Sequence, residues 1–136
     1  MHPAPALDVV PILAAALVNI VVGFVWYAPP VLGNAWLKEL GKKQEELGSP
    51  GPAYALVVVS ALVSALALNY VIHGISGASP TLQDGALVGL IVGVGFAATA
   101  MGAESIFGGK SLKLYLINAG YHVVALALAG VVVTFL

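Results

Sequence analysis

Among the polar residues within the long apolar stretches of the chain, four have side chains and positions that could carry chemistry: Asn19, Ser64, Asn118 and His122. Asn118 and His122 are four residues apart, so they share one face if this stretch is helical. Counting along each stretch at about 1.5 Å per helical residue puts Asn19, Ser64 and His122 at a similar depth. Carboxamide, hydroxyl and imidazole groups at one depth can bond to each other across helices, or they can line a polar path for a solute.

Hydrogen bonding between helices is the role that we favour for these side chains, because a polar group exposed to lipid is costly. Asn19 is then the first candidate partner of His122. A hydrolase needs a base and an orienting group, and His122 has no carboxylate at its depth. The chain has no cysteine, which excludes thiolate metal sites and cysteine nucleophiles. The sequence therefore predicts a protein that is not an enzyme and that holds neither a metal nor a cofactor.

The elements that must position these residues are four apolar runs, at about residues 8–28, 53–73, 82–103 and 112–136. Each run can cross a bilayer, since about 20 apolar residues span its hydrocarbon core. The chain is 60% hydrophobic and only 8% charged, which is too little charge to cover a water-soluble domain. The sequence predicts an all-α integral membrane protein with a single domain over residues 1–136. Short connections favour an antiparallel, up-down four-helix bundle.

Aromatic residues mark the end of the first span and the polar connection after it. Trp26 and Tyr27 precede two prolines, and both residue types prefer the headgroup level of a bilayer. Apolar residues at helical spacing beside Trp36 predict a short interfacial amphipathic helix over about residues 34–48, with Asn34 as its N-cap. The alternative is an ordinary solvated connector. We therefore expect Trp26, Tyr27 and Trp36 at the membrane interface.

Three glycines at intervals of four residues, Gly85, Gly89 and Gly93, form one face of the third span. Glycine lacks a side chain and lets a second helix approach closely, as in the small-xxx-small pattern of membrane helices. The face can pack against another span of the same chain or against a second copy. Packing within the chain is the favoured interpretation.

Capping residues predict where the third and fourth spans begin. Thr81 followed by Asp84 resembles a capping box, in which aspartate takes the place of glutamate. Ser111 is in a position to cap the start of the fourth span.

The positive charges predict the orientation of the chain in the membrane. Every basic residue is a lysine in the connection after the first or the third span: Lys38, Lys42, Lys43, Lys110 and Lys113. Short lysine-bearing loops stay in the cytoplasm. We therefore expect a multi-pass protein of the cytoplasmic (inner) membrane with both termini outside. Glu104, on the lysine side, either pairs with Lys110 or Lys113 or lies at the mouth of a cavity.

Short motifs extend over nearly the whole chain. Asn19 to Trp36 contains a glycine, then Trp-Tyr, a proline-containing turn and a downstream tryptophan. Glu104 to Lys110 has an acidic residue before a basic one, and Leu116 to His122 carries a small-residue, aromatic and histidine motif. In these features the chain resembles DUF1761, a bacterial four-span membrane family of unknown function. The resemblance implies the four-span architecture and no particular reaction. Lys110 stands where the family pattern leads us to expect arginine.

Packing signals outnumber reactive groups in this sequence. We therefore expect a non-enzymatic membrane protein that acts through helix packing, as a homo-oligomer or as an accessory subunit of a larger membrane complex. Its partners are then the lipid bilayer and other membrane proteins, and no basic stretch indicates a nucleic acid. The main alternative is a small channel or transporter whose polar path follows Asn19, Ser64, Asn118 and His122. An intramembrane enzyme that uses Glu104, Tyr121 and His122 is the least favoured alternative.

Overall fold

The computed structural model describes residues 9–42 and 51–135, and the regular structure in these two ranges is helical. Four helices are long and apolar enough to cross a membrane, and we number them as spans 1 to 4: Val9–Trp26, Gly51–Ser76, Leu82–Phe107 and Leu112–Phe135. They pack together. The prediction of an all-α bundle of four such helices is confirmed, and spans 2 and 3 extend a few residues beyond their predicted ends.

Span 3 is not a uniform α-helix. It consists of α-helical Leu82–Val92, a π-helical segment at Gly93–Ala98 and α-helical Thr99–Phe107. A π-helical turn shifts the register of the backbone hydrogen bonds, and such turns are frequent at functional sites. A side chain from span 4 bonds to this segment, since the Tyr115 hydroxyl donates to the Ala98 carbonyl oxygen over 2.8 Å.

Side-chain caps begin spans 3 and 4, as predicted. The Asp84 N–H donates to Thr81 Oγ1 over 3.1 Å, and the Thr81 N–H donates to Asp84 Oδ2 over 2.9 Å. The capping box is therefore confirmed. The Ser111 hydroxyl accepts the Leu114 N–H over 3.1 Å, which confirms Ser111 as the cap of span 4. Each contact satisfies backbone N–H groups that have no partner within the first turn of a helix.

A π-helical turn, Pro29–Gly33, leads directly into a short helix at Asn34–Leu40, which we call the connector helix. The backbone before Asn34 already has helical angles, so the prediction that Asn34 is an N-cap is wrong. The connector helix ends at Gly41, earlier than predicted, because Gly41 has a φ of 72°, a left-handed conformation that glycine readily adopts. Residues 43–48 of the predicted interfacial helix lie outside the described residues.

Span 4 is the most central helix, because it packs along both span 1 and span 3. Span 1 also packs against span 2, whereas spans 2 and 3 contact each other sparsely although they are consecutive. The buried core consists mainly of alanine and branched aliphatic side chains: Ala15, Ala16, Ala61, Ala65, Leu68, Ile72, Val88, Ala129 and Val133. Small side chains let the helix backbones come close together.

The two ends of the bundle differ in packing and in charge. The connections after spans 1 and 3 lie at one end, which we call the lysine end because it carries Lys38, Lys42, Lys110 and Lys113. At this end the Ser111 hydroxyl donates to Glu39 Oε1 over 2.9 Å, which links the connector helix to the start of span 4. Most of the buried core lies in the opposite half.

The face of span 3 formed by Gly85, Gly89 and Gly93 packs against span 4 of the same chain. A Cβ atom at Gly85 would overlap the Gly130 backbone, and one at Gly89 would overlap the Leu126 carbonyl oxygen. At Gly93 the added carbon would lie 3.0 Å from the backbone of span 4. The two backbones therefore meet with no side chain between them.

Alanine at Gly89 tests this close approach. Gly89→Ala should lower the free energy of unfolding by about 1–3 kcal/mol, the usual cost of overpacking, because the methyl group must push spans 3 and 4 apart. Thermal unfolding in detergent measures the change. Gly95→Ala is the matched control, since it adds the same methyl group to span 3 where nothing lies within 4 Å. Equal melting temperatures for the two variants would contradict the close contact.

Candidate functional site

A cavity of about 720 Å³ lies between the spans, within the range of volumes that small-molecule pockets have. All four spans contribute to its wall. Its polar lining residues are Asn19, Tyr27, Ser60, Ser64, Asn118, Tyr121 and His122. The structure therefore brings together, around one cavity, the four polar residues that the sequence indicated as candidates.

The cavity lies between spans 2 and 3 and extends from near the lysine end to beyond the middle of the bundle. Span 2 lines it from Leu56 to Val71 and span 3 from Val92 to Met101, while residues of spans 1 and 4 form the back wall. Phe96 of the π-helical segment lines the cavity and is 70% exposed. Because spans 2 and 3 contact each other sparsely, the cavity is not closed by a helix on that side. This side would face the lipid of a surrounding bilayer.

Two tyrosine hydroxyls bond to the two asparagines of the back wall. The Tyr27 hydroxyl donates to Asn118 Oδ1 over 2.6 Å. The Tyr121 hydroxyl donates to Asn19 Oδ1 and lies 3.2 Å from the Asn19 carbonyl oxygen. Asn19 therefore pairs with Tyr121 and not with His122, the partner that the sequence suggested. The reason is reach, since the long phenol side chain of Tyr121 crosses the interface between spans 1 and 4.

Glycines on spans 1 and 4 make room for these aromatic rings. The Tyr121 ring covers Gly23, where an added Cβ would lie 3.3 Å from the ring. The Trp26 ring covers Gly120, where an added Cβ would lie 3.0 Å from it. The Trp26 Nε1–H also donates to the Ile117 carbonyl oxygen over 2.8 Å. Each span thus supplies a glycine beneath an aromatic side chain of the other, and each of these side chains bonds to the opposite span.

The aromatic residues that the sequence assigned to the membrane interface are half-buried in protein. The Tyr27 ring lies edge-on to Trp36 and to Tyr121, with ring centroids 5.5 and 5.6 Å apart. The Tyr121 ring lies 4.8 Å from the imidazole of His122. A row of rings therefore runs from the connector helix through Tyr27 and Tyr121 to His122 at the cavity.

Glu104 is not among the residues that line the cavity. Its Oε1 lies 3.7 Å from Lys110 Nζ, and the two side chains are 75% and 45% exposed, respectively. An exposed ion pair contributes about 0–1 kcal/mol to stability. Of the possibilities left by the sequence, pairing with Lys110 is the one that the structure contains.

Sequence analysis did not assign Tyr27, Ser60 and Tyr121 to the polar cluster. Local signals for two of them were present, because Ser60 is one helical turn before Ser64 and Tyr121 is next to His122. Tyr27 had no such signal, since its partner is distant in the sequence. Within residues 9–42 and 51–135, no group of three or more His, Cys, Asp or Glu side chains could hold a metal ion.

Comparison with known proteins finds one match. The model of a family described as "Protein of unknown function (DUF1761)" matches residues 10–134. No curated protein and no solved structure matches the chain. The matched segment includes every polar residue that lines the cavity.

Removing single hydroxyl groups tests the bonds of the back wall. Tyr27→Phe and Tyr121→Phe should each lower the free energy of unfolding by about 0.6 kcal/mol, the average for such bonds between membrane helices. Thermal unfolding in detergent measures the loss. Tyr70→Phe is the control, because Tyr70 is 45% exposed on span 2 and away from the back wall. An equal loss in all three variants would mean that the bonds to the asparagines add nothing.

Proposed function

The chain belongs to the DUF1761 family, and we propose that it is a non-enzymatic, multi-pass membrane protein that binds a small molecule in the cavity between its spans. The observation that carries this proposal is the convergence of polar side chains from spans 1, 2 and 4 on one cavity in a mainly apolar bundle. Pockets for small molecules combine a mainly apolar lining with a few polar groups that orient the ligand.

Polar groups inside a membrane protein need hydrogen-bond partners, and this need supports ligand binding over helix packing alone as the role of these side chains. Two helices that use serine or asparagine only to associate would direct these groups at each other. Ser60 and Ser64 instead line open space one turn apart on span 2, across from Asn19 and Asn118. Polar side chains at this depth are functional candidates by default, because they are costly unless something bonds to them.

The geometry gives less support to the other functions that the sequence left open. The glycine face of span 3, one of the packing signals behind the expectation of an oligomer or a membrane complex, is already covered by span 4 of the same chain, as the favoured interpretation predicted. A channel needs a path across the membrane, and the alanine-rich core packs the helices closely toward the end of the bundle opposite to the lysine end. Binding is the step that this geometry supports without rearrangement, and it would also be the first step of transport.

Catalysis is not part of the proposal. Acid–base or nucleophilic catalysis needs a reactive group with a base or an orienting partner within hydrogen-bond reach. Among the described residues, His122 is the only imidazole of the lining, and no carboxylate accompanies it there.

We propose that the chain lies in the inner membrane, with the lysine end facing the cytoplasm and both termini outside. Support comes from Lys38, Lys42, Lys110 and Lys113, which share one end of the bundle, and from the rule that short basic loops stay inside. A membrane-impermeant amine reagent should therefore leave these lysines unmodified in intact cells and modify them in open membranes. Modification of Lys38 in intact cells would mean that the chain has the opposite orientation in the membrane.

Filling the cavity tests the binding function. Ala97 lines the cavity, so Ala97→Trp should exclude a bound molecule, whereas Ala103→Trp adds the same side chain at an exposed position of span 3 outside the lining. Both variants and the wild type are extracted in mild detergent, and native mass spectrometry records the mass that stays bound. We expect a small molecule on the wild type and on Ala103→Trp, and its loss from Ala97→Trp.

Two outcomes would contradict the proposed function. One is a wild-type protein that carries no small molecule even when it is extracted directly into lipid nanodiscs. The other is equal retention by Ala97→Trp and Ala103→Trp, which would assign the bound mass to the outer surface of the bundle. Melting temperatures of all three proteins check that each is folded.

A further inference from the structure

The hydrogen bonds of the back wall determine which groups remain for a ligand. Tyr27 donates to Asn118 Oδ1 and Tyr121 donates to Asn19 Oδ1, so both amide oxygens already serve as acceptors. A carboxamide also carries two N–H donors. Neither Nδ2 group donates to another group of the described residues. The back wall therefore offers the cavity free amide N–H donors, beside the imidazole of His122, which can both donate and accept.

The opposite wall adds groups that can adapt to either role. Ser60 and Ser64 are one turn apart on span 2, and both line the cavity. A hydroxyl group can donate or accept, so these serines fit a ligand oxygen as well as a ligand hydroxyl. A polar ligand group held between the two walls would meet amide donors on one side and hydroxyl groups on the other.

Charge is the second constraint on the ligand. No Lys, Arg, Asp or Glu among the described residues lines the cavity. An ion that enters such a site loses its hydration without gaining a permanently charged partner, because His122 is the one side chain of this lining that can become a cation, and this loss is strongly unfavourable. Most of the remaining lining is aliphatic, and the open side lies between spans 2 and 3 where lipid would be. The lining therefore suits an uncharged molecule that arrives from the bilayer.

We propose that the ligand is a neutral, lipid-soluble molecule whose polar end carries carbonyl oxygens, as a quinone or an acylglycerol does. The carbonyl oxygens accept from the amide groups of Asn19 and Asn118, and the apolar tail leaves the cavity between spans 2 and 3 past Phe96. This inference rests on the proposed binding function and specifies the chemical class of the ligand. Quinones and acylglycerols share the recognised group, and direct binding distinguishes them.

Tryptophan fluorescence provides a direct measurement of binding. The chain has two tryptophans, Trp26 and Trp36, and both lie beside the back wall or contact Tyr27. A benzoquinone with a ten-carbon tail is titrated into the purified protein in detergent, and saturable quenching reports its binding. Short-chain diacylglycerol, decanoate and decyltrimethylammonium are then added as competitors. We expect saturable binding of at least one of the two neutral probes, the quinone or the diacylglycerol. Where the quinone binds, neither decanoate nor decyltrimethylammonium should displace it.

Variants connect the binding to the amide donors. Asn118→Leu should weaken quinone or diacylglycerol binding about three- to tenfold, the usual effect of losing one or two neutral hydrogen bonds. Asn34→Leu is the matched control, because it makes the same substitution at an exposed asparagine of the connector helix that does not line the cavity. Its affinity should stay close to that of the wild type. Ser64→Ala changes the opposite wall and serves as a second variant if Asn118→Leu does not fold.

The results separate this inference from the proposed function. Displacement by decanoate or decyltrimethylammonium, or equal affinity of Asn118→Leu and the wild type, would overturn the neutral carbonyl class and leave cavity binding intact. Binding of neither neutral probe would also overturn the class, provided that Ala97→Trp still loses the mass that the wild type retains. If Ala97→Trp loses nothing, both the proposed function and the ligand class are wrong.

Discussion

The contact between spans 1 and 4 is the interaction on which the site depends. Trp26 lies over Gly120 and Tyr121 lies over Gly23, so each helix approaches the other through a glycine and is held there by an aromatic side chain. Both aromatic side chains also donate to the opposite span. Steric fit and hydrogen bonding therefore specify the same arrangement of spans 1 and 4. This arrangement places Asn19 and Asn118 together in the back wall of the cavity.

Span 4 also packs against span 3, on a different side from span 1. This second contact explains why a cavity is left between spans 2 and 3. The glycine face that begins at Gly85 brings the span 3 backbone against span 4, while span 2 packs mainly against span 1. Spans 2 and 3 are consequently held by different partners and do not close on each other. A short connection makes two helices neighbours at one end, but it does not provide the side chains that would pack them along their length.

The bundle is packed most closely away from the lysine end, and the cavity extends from near the lysine end past the middle of the bundle. Small side chains such as Ala15 and Ala129 let the helices meet closely away from the lysine end. Near the lysine end, larger and polar side chains surround open space. The π-helical segment of span 3 lies at this transition and contributes Phe96 to the cavity wall. Ala61 and Leu68 belong both to the core and to the cavity lining, so the packed core borders the cavity directly.

The sequence alone determined the features that depend on local physics. The length and apolarity of the runs predict four spans, the spacing of Thr81 and Asp84 predicts a cap, and helical rise predicts the common depth of Asn19, Ser64 and His122. Only the tertiary structure decided which groups meet. Tyr27 and Asn118 are 91 residues apart, and Tyr121, not His122, bonds to Asn19. Periodicity gives the face and depth of a residue, whereas its partner and the space beside it depend on how neighbouring helices pack.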